Sequence, residues 1–357
     1  MKAVKKYGFL PDYAVPPGET LKEVMGSLDM SQRELAVRTG LTVQSLNRIF
    51  KGEQPITYET ANKLELTTGV PAHMWNNLEA QYREQLAKIE ERERLEADLD
   101  WLKTIPTKEL IKRGAIEDLK KKTFLLRETL KFYGVSSVAA WHDIWKKPAV
   151  AARCSACFES HPGPVSAWIR LGEIQAHTIE CQVFDQTLFK QTLKDIRKLT
   201  LEEPEVFVPE MQSLCAKVGV ALALVPEIRK VPWNGATKWL SPSKAMILLN
   251  LRGKSEDFFW FSFFHEAGHI INDSKKDLYI NDGNKDDLRE QKANEFAAES
   301  LIPRSLDNII KFFGKKSEIK KLAVDLEISQ GIVAGRFQHL TKKWNYFRDM
   351  QRKFEWV

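Results

Sequence analysis

A helical pattern starts near Ser255 and runs through Ile271, and inside it residues 265–269 read HEAGH. On an α-helix, positions i and i+4 are about 400° apart, so His265 and His269 lie on one face, one turn apart. Two imidazoles placed that way can share one Zn²⁺, and Glu266, beside the first of them, can take a proton from a water that the metal activates. Roughly one chain in a hundred of this length carries HExxH by accident, so the spacing needs support from elsewhere. Two histidines packed or capping in a core helix are the structural alternative. Gly268 is a poor choice for a purely structural helix interior, but it lets another backbone or a ligand come close.

A catalytic zinc takes a third protein ligand and keeps a fourth position open. This demand constrains the fold, because the ligand has to come from a second element packed on the first. A helical pattern over residues 288–302, stopping near Pro303, offers Glu290 in EQKANEFAAE. Asn294 lies one turn later on the same face, where it can support a ligating histidine. Glu295 is rotated away from Glu290, and Glu299 follows by two and a half turns, so both rank below it. A structural zinc site with four protein ligands is the further alternative, and Glu266 argues against it because such a site needs no base.

A second signal lies near the N-terminus. Residues 31–51 read SQRELAVRTGLTVQSLNRIFK. Ser31 is a good N-cap, with Glu34 three residues on completing a capping box. Leu35 and Ala36 face inward, Gly40 supplies a turn, and Thr42 caps a second short helix with Leu46 and Ile49 toward the core. Gln44, Ser45, Asn47 and Arg48 are left on the outer face, with Lys51 just beyond. This is a helix-turn-helix layout whose second helix enters a DNA major groove. Gln and Asn suit adenine edges and Arg suits guanine, while Gln32 is placed to reach phosphate. No carboxylate falls between Thr42 and Lys51, which favours DNA over a plain helical hairpin.

The chain has 357 residues, enough for two or three domains, and its 43% hydrophobic content supports ordinary packed cores. A net charge of +6 permits a nucleic-acid partner without requiring one. No apolar run approaches the ~20 residues of a membrane span, and the basic N-terminus lacks a signal-peptide core, so the expectation is a cytoplasmic protein with no membrane partner. Four cysteines do not make a disulfide scaffold. Cys154 and Cys157 form a lone CxxC, best read as small packed thiols. The apolar run 218–225 and residues 244–252 read as strands. Residues 79–100 form a charged helical pattern, read as a solvated connector helix with a dimer seam along its narrow apolar face as the alternative, and Trp101, Leu125, Leu126, Leu130, Phe132, Trp141 and Trp145 are expected core. The expected fold is multidomain and mainly α with an α+β part. Residues 1–83 form an all-α DNA-binding domain, 84–150 a helical middle region, and 151–357 an α+β domain with a helical C-terminal subdomain. Residues 319–340 are themselves helix-turn-helix-like. They suit either nucleic acid, through Arg336, Lys342 and Lys343, or a lid that closes a cleft or recognises a substrate.

PPGETLKEVMGSLDMSQRELAVRTGLTVQSLNRIFKGEQPIT, followed by TTGVPAHMWNNLEAQY, resembles the HigA-type antitoxins of the Xre repressor class over about residues 15–83. That resemblance implies an operator-binding homodimer with a toxin partner, and its phosphate-contacting glutamine falls on Gln32. The paired helices carrying His-Glu-His and then Glu resemble the glutamate-zincin metallopeptidases. GATKWLSPSKAMILLNLRGKSEDFFWFSFFHEAGHII with EQKANEFAAESLIP is similar to the ImmA/IrrE metallo-endopeptidases, from about residue 218 to 303. The implied zinc ligands are His265, His269 and Glu290, with Glu266 as general base. The strand at 245–250 is then expected to be the sheet edge that takes an extended substrate. Tyr279, Arg336 and His339 are candidates for oxyanion support.

Together these readings predict a DNA-binding regulator, bacterial or phage in type, fused to a zinc endopeptidase. Its expected substrate is a specific repressor or antitoxin-like protein, in stress, phage or toxin–antitoxin control. The alternative is a non-catalytic HigA-like antitoxin whose second domain binds a toxin or senses a ligand.

Overall fold

The computed structural model describes residues 13–145, 161–273, 278–280 and 288–356. The Cys154–Cys157 motif and most of the loop between the two site helices lie outside the described residues. The chain divides into two compact units, Met1–Leu99 and Asp100–Val357. No helix among the described residues is long and apolar enough to cross a membrane.

Among its described residues the first unit is all helical: α1 (Pro17–Ser27), α2 (Gln32–Thr39), α3 (Val43–Phe50), α4 (Tyr58–Thr68) and α5 (Ala72–Ala97). Its core gathers Leu21, Leu35, Leu46, Ile49, Ala61, Leu64 and Trp75. The Ser31 hydroxyl accepts the Glu34 amide, and Thr42 accepts the Ser45 amide at 3.0 Å. Gly40 ends α2 at φ 69°, a left-handed turn that a glycine enters freely. Only the serine half of the expected capping box forms. The Glu34 carboxylate instead pairs with Arg38 one turn on, at 2.5 Å, a charged contact that outcompetes a bond back to the Ser31 amide. Residues 79–97 continue α5 without a break, and Glu79 of this helix accepts the Ile56 amide in the loop after α3.

In the second unit, α6 (Thr107–Lys112), α7 (Lys122–Tyr133) and α8 (Val138–Trp145) form a helical region. Trp101, Tyr133 and Trp141 stack edge-on there. The expected core residues are buried, except that Leu125 is only half-buried. Next come α9 (Pro162–Thr178), α10 (Gln186–Lys198) and α11 (Pro204–Ala216), then β1 (Val220–Leu224), β2 (Gly235–Ser241) and β3 (Lys244–Leu249). After them follow α12 (Glu256–Asn272), β4 (Leu278–Ile280) and α13 (Leu288–Leu301). The chain ends with α14 (Asp307–Ile310), α15 (Lys316–Asp325) and α16 (Gln330–Thr341).

The sheet order is β1-β3-β2-β4, with β1 and β3 parallel and the other pairs antiparallel. β3 is therefore an interior strand, and the expectation that residues 245–250 form an open substrate-binding edge is wrong. β1 pairs with it on one side and β2 on the other, so its backbone groups are already taken. Both faces of the sheet are covered, which explains why β1 and β3 read as continuous apolar runs. Leu248 meets Gly172 of α9 on one face, while Ile247 and Leu249 join the α12 core on the other.

The helix pair α15–α16 does resemble a helix-turn-helix in sequence, but its second helix serves the core. Ile332, Val333, Ala334 and Phe337 are buried, and Gly331 and Gly335 lie against Glu256 and Asp257 of α12. Arg336, offered above as a nucleic-acid contact, is bound to Asp307 at 2.6 Å. Of α16 only His339 is exposed, so it does not present the open polar face that α3 does.

Candidate metal centre and DNA-reading surface

The α12 helix is apolar on nearly every side and is buried from Phe259 to Ile271 except at half-exposed Phe261. The α13 helix presents Glu290, Ala293, Ala297 and Leu301 as its buried stripe, a helical i, i+3, i+7, i+11 pattern. Gly268 and Ala293 let the two helices meet closely: a Cβ on Gly268 would stand 3.1 Å from the Ala293 Cα. The close approach brings Glu290 onto the face that His265 and His269 share.

The Nε2 atoms of His265 and His269 lie 3.0 Å apart, and the Glu290 carboxylate closes the third side. Its Oε2 is 3.2 Å from His265 Nε2 and its Oε1 is 3.1 Å from His269 Nε2. The three residues offer ligand atoms within 4.8 Å of one another, and all three are buried. The opposite ring nitrogens are held from behind. His265 Nδ1 is 3.0 Å from Asn294 Oδ1, and His269 Nδ1 is 2.7 Å from Asp273 Oδ2. Such outer contacts fix the tautomer and aim Nε2 inward.

Burial disfavours charge on His269, but its bonds to Asp273 and Glu290 and the charge of Glu266 outweigh this and raise its pKa to about 10. Burial also opposes the Glu290 charge, and contact with both imidazoles overcomes it, lowering its pKa to about 2. The donor set fits zinc. Two imidazole nitrogens and one carboxylate converge from two packed helices, and Glu290 Oε2 is buried without a hydrogen-bond partner among the described residues. A metal ion would satisfy that oxygen and separate the two facing nitrogens.

Glu266 is fully buried beside this cluster, and burial raises its pKa against the opposing charges of His265 and His269. Its Oε2 accepts a hydrogen bond from Thr237 of β2 at 2.7 Å, while its Oε1 has no hydrogen-bond partner among the described residues. The competitors on α13 point elsewhere: Glu295 and Glu299 both bond to Arg304. Of the oxyanion candidates, Arg336 is occupied by Asp307, His339 is exposed, and the side chain of Tyr279 lies outside the described residues. Three contributors escaped the sequence reading. Asp273 sits one turn after His269, a spacing that could have found it. Thr237 and Gly235 carry no such signal, because they approach from a strand about thirty residues away.

On the first unit, Gln44, Asn47, Arg48 and Lys51 are exposed along and just after α3. Gln32 donates to Asn47 Oδ1 at 2.8 Å, which ties the start of α2 to the outer face of α3. Thr42 and Ser45 have structural partners: Thr42 caps the helix, and the Ser45 hydroxyl donates to Gln54 at 3.0 Å. The freely presented polar set is therefore Gln44, Arg48 and Lys51, with Asn47 held by Gln32.

Family models match both parts of the chain. Residues 21–75 match the helix-turn-helix model, and residues 227–338 match the model of the IrrE N-terminal-like domain, a peptidase family. No curated protein sequence matches the chain. The chain joins an Xre-type helix-turn-helix DNA-binding domain to an IrrE-like domain of a metallopeptidase family.

Proposed function

We propose that this protein is a DNA-binding regulator whose second domain is a zinc-dependent endopeptidase acting on a specific regulatory protein, a repressor or an antitoxin-like partner. The observation that carries this reading is the convergence of His265, His269 and Glu290 with a buried carboxylate, Glu266, alongside. His265, His269 and Glu290 would hold the zinc, with Asn294 and Asp273 fixing the imidazoles. Zinc bound there supplies Lewis-acid polarisation of a scissile carbonyl and of the attacking water.

The chain's own chemistry is proton transfer. Glu266 accepts a proton from water as its oxygen bonds to the carbonyl carbon, then delivers that proton to the departing amide nitrogen as the C–N bond breaks. Burial raises its pKa, which makes the carboxylate a stronger base toward water than an ordinary glutamate. Among the first-unit residues, Gln44, Asn47 and Arg48 would read base edges, with Lys51 and Gln32 on phosphate. Thr42 and Ser45 would contribute by shaping α3. Operator binding by a homodimer, a toxin partner and a cytoplasmic setting belong to the same reading.

Two measurements test it. Purified protein should carry about one zinc per chain, lost or sharply weakened in Glu290→Ala. A proteome-derived peptide library should be cut by wild type and left intact by Glu266→Gln, which keeps zinc and DNA binding. Protein that stays metal-free with zinc supplied would sink the peptidase reading. Operator and toxin binding with no cleavage, unchanged by Glu266→Gln, would establish the non-catalytic antitoxin instead.

A further inference from the structure

Glu266 sits in a slot on the inward face of β2. Gly235 and Thr237 are two residues apart on that strand, so they share one face. Gly235 forms the floor beneath the carboxylate: a Cβ there would stand 2.5 Å from Glu266 Oε1 and 2.8 Å from its Cγ. Thr237 forms the wall. Its hydroxyl is 2.7 Å from Glu266 Oε2 and 3.1 Å from the Glu266 backbone oxygen. Thr237 is itself fully buried, so no water competes for that hydroxyl.

We infer that Thr237 is a positioning residue for the Glu266 carboxylate, and that position 235 is glycine to leave the carboxylate room. The inference rests on the reading of Glu266 as the base and adds to it which oxygen works. A hydroxyl has one proton to donate. Given to Oε2, it stabilises the carboxylate and stops the side chain from rotating, leaving Oε1 as the oxygen without a partner among the described residues. Oε1 is then the atom that takes the proton from water and passes it to the leaving nitrogen. With that proton on Oε1, Oε2 still accepts from Thr237, so the contact survives both protonation states. Held geometry of this kind raises a rate by keeping the reacting atoms aligned.

The test uses full-length protein labelled with ¹³C at the glutamate Cδ, with the Glu266 signal assigned by its absence in Glu266→Gln. Thr237→Val removes the hydroxyl at nearly constant shape, and Thr237→Ser keeps it. The expected result is a Glu266 signal displaced in Thr237→Val and restored in Thr237→Ser, with zinc per chain the same in both. Peptide-library hydrolysis should fall at least about tenfold in the valine variant and recover in the serine variant. Thr237→Ala gives the same comparison should the valine variant not fold. An undisplaced signal overturns the inference, and so does a displaced signal with hydrolysis unchanged, which would mark the contact as structural only. Failure of the peptidase reading looks different: no zinc in any variant, or Glu266→Gln as active as wild type. The Glu266 signal then decides the Thr237 contact by itself.

Discussion

Asn294→Ala isolates the support behind one ligand. In the structure Asn294 Oδ1 is 3.0 Å from His265 Nδ1, and the His265 side chain is fully buried. With Nε2 bound to zinc, the ring proton must sit on Nδ1, and without Asn294, itself an exposed residue of α13, that N–H keeps at most a water as partner. An unsatisfied buried donor costs about 1–3 kcal/mol. The metal-free protein avoids part of this cost. His265 can move its proton to Nε2, where Glu290 Oε2 waits 3.2 Å away. The larger part of the penalty therefore falls on the zinc-bound form, and zinc affinity should drop by up to about 150-fold. A competition titration against a chromophoric chelator at neutral pH measures this directly. Metal-free thermal stability should stay near wild type, and Asn294→Asp, which keeps an acceptor in place, should retain most of the affinity. Zinc affinity in Asn294→Ala within about twofold of wild type would refute the tautomer argument.

Three further outcomes are expected. Gly18→Ala puts a Cβ 2.3 Å from the Phe50 Cα, backbone against backbone. It should destabilise the first unit by about 1–3 kcal/mol and weaken operator binding, as read by thermal unfolding and DNA titration. Arg48→Ala should cost about 1–3 kcal/mol and relax preference at one base pair, whereas Lys51→Ala should weaken all sequences alike and flatten the salt dependence by about one phosphate; a DNA-selection experiment with salt titrations separates the two. Burial lifts the Asp257 carboxyl to about 6, against hydrogen bonds from its own and the Phe258 amide. Because the folded value lies above the unfolded one, the stability tied to the protonated form is complete below about pH 4 and lost as pH rises through about 6. Asp257→Asn should therefore gain about 1–3 kcal/mol over wild type at about pH 8 and nothing near pH 4, in urea unfolding at the two values.

Much of the candidate site was legible in the order of residues because a helix translates spacing into direction. His265 with His269, and Glu290 with Asn294, are pairs one turn apart, and local hydrogen bonds set that angle whatever the helix packs against. The same logic found the caps at Ser31 and Thr42 and the outward set Gln44, Asn47, Arg48 and Lys51. Where a residue had two partners within reach, spacing was not enough: Glu34 chose Arg38 over the Ser31 amide. Residues 319–340 carry a helix-turn-helix pattern, yet only packing on α12 decides that α16 faces inward. Strand pairing lies further still from local reach. β3 became interior because β1 and β2 claimed both its edges, and Thr237 and Gly235 reached Glu266 across about thirty residues of chain. Periodicity along one element is encoded locally. Which strand lies beside which, and which face of a strand meets which helix, depends on the free energy of burying distant segments together, and only the assembled fold decides it.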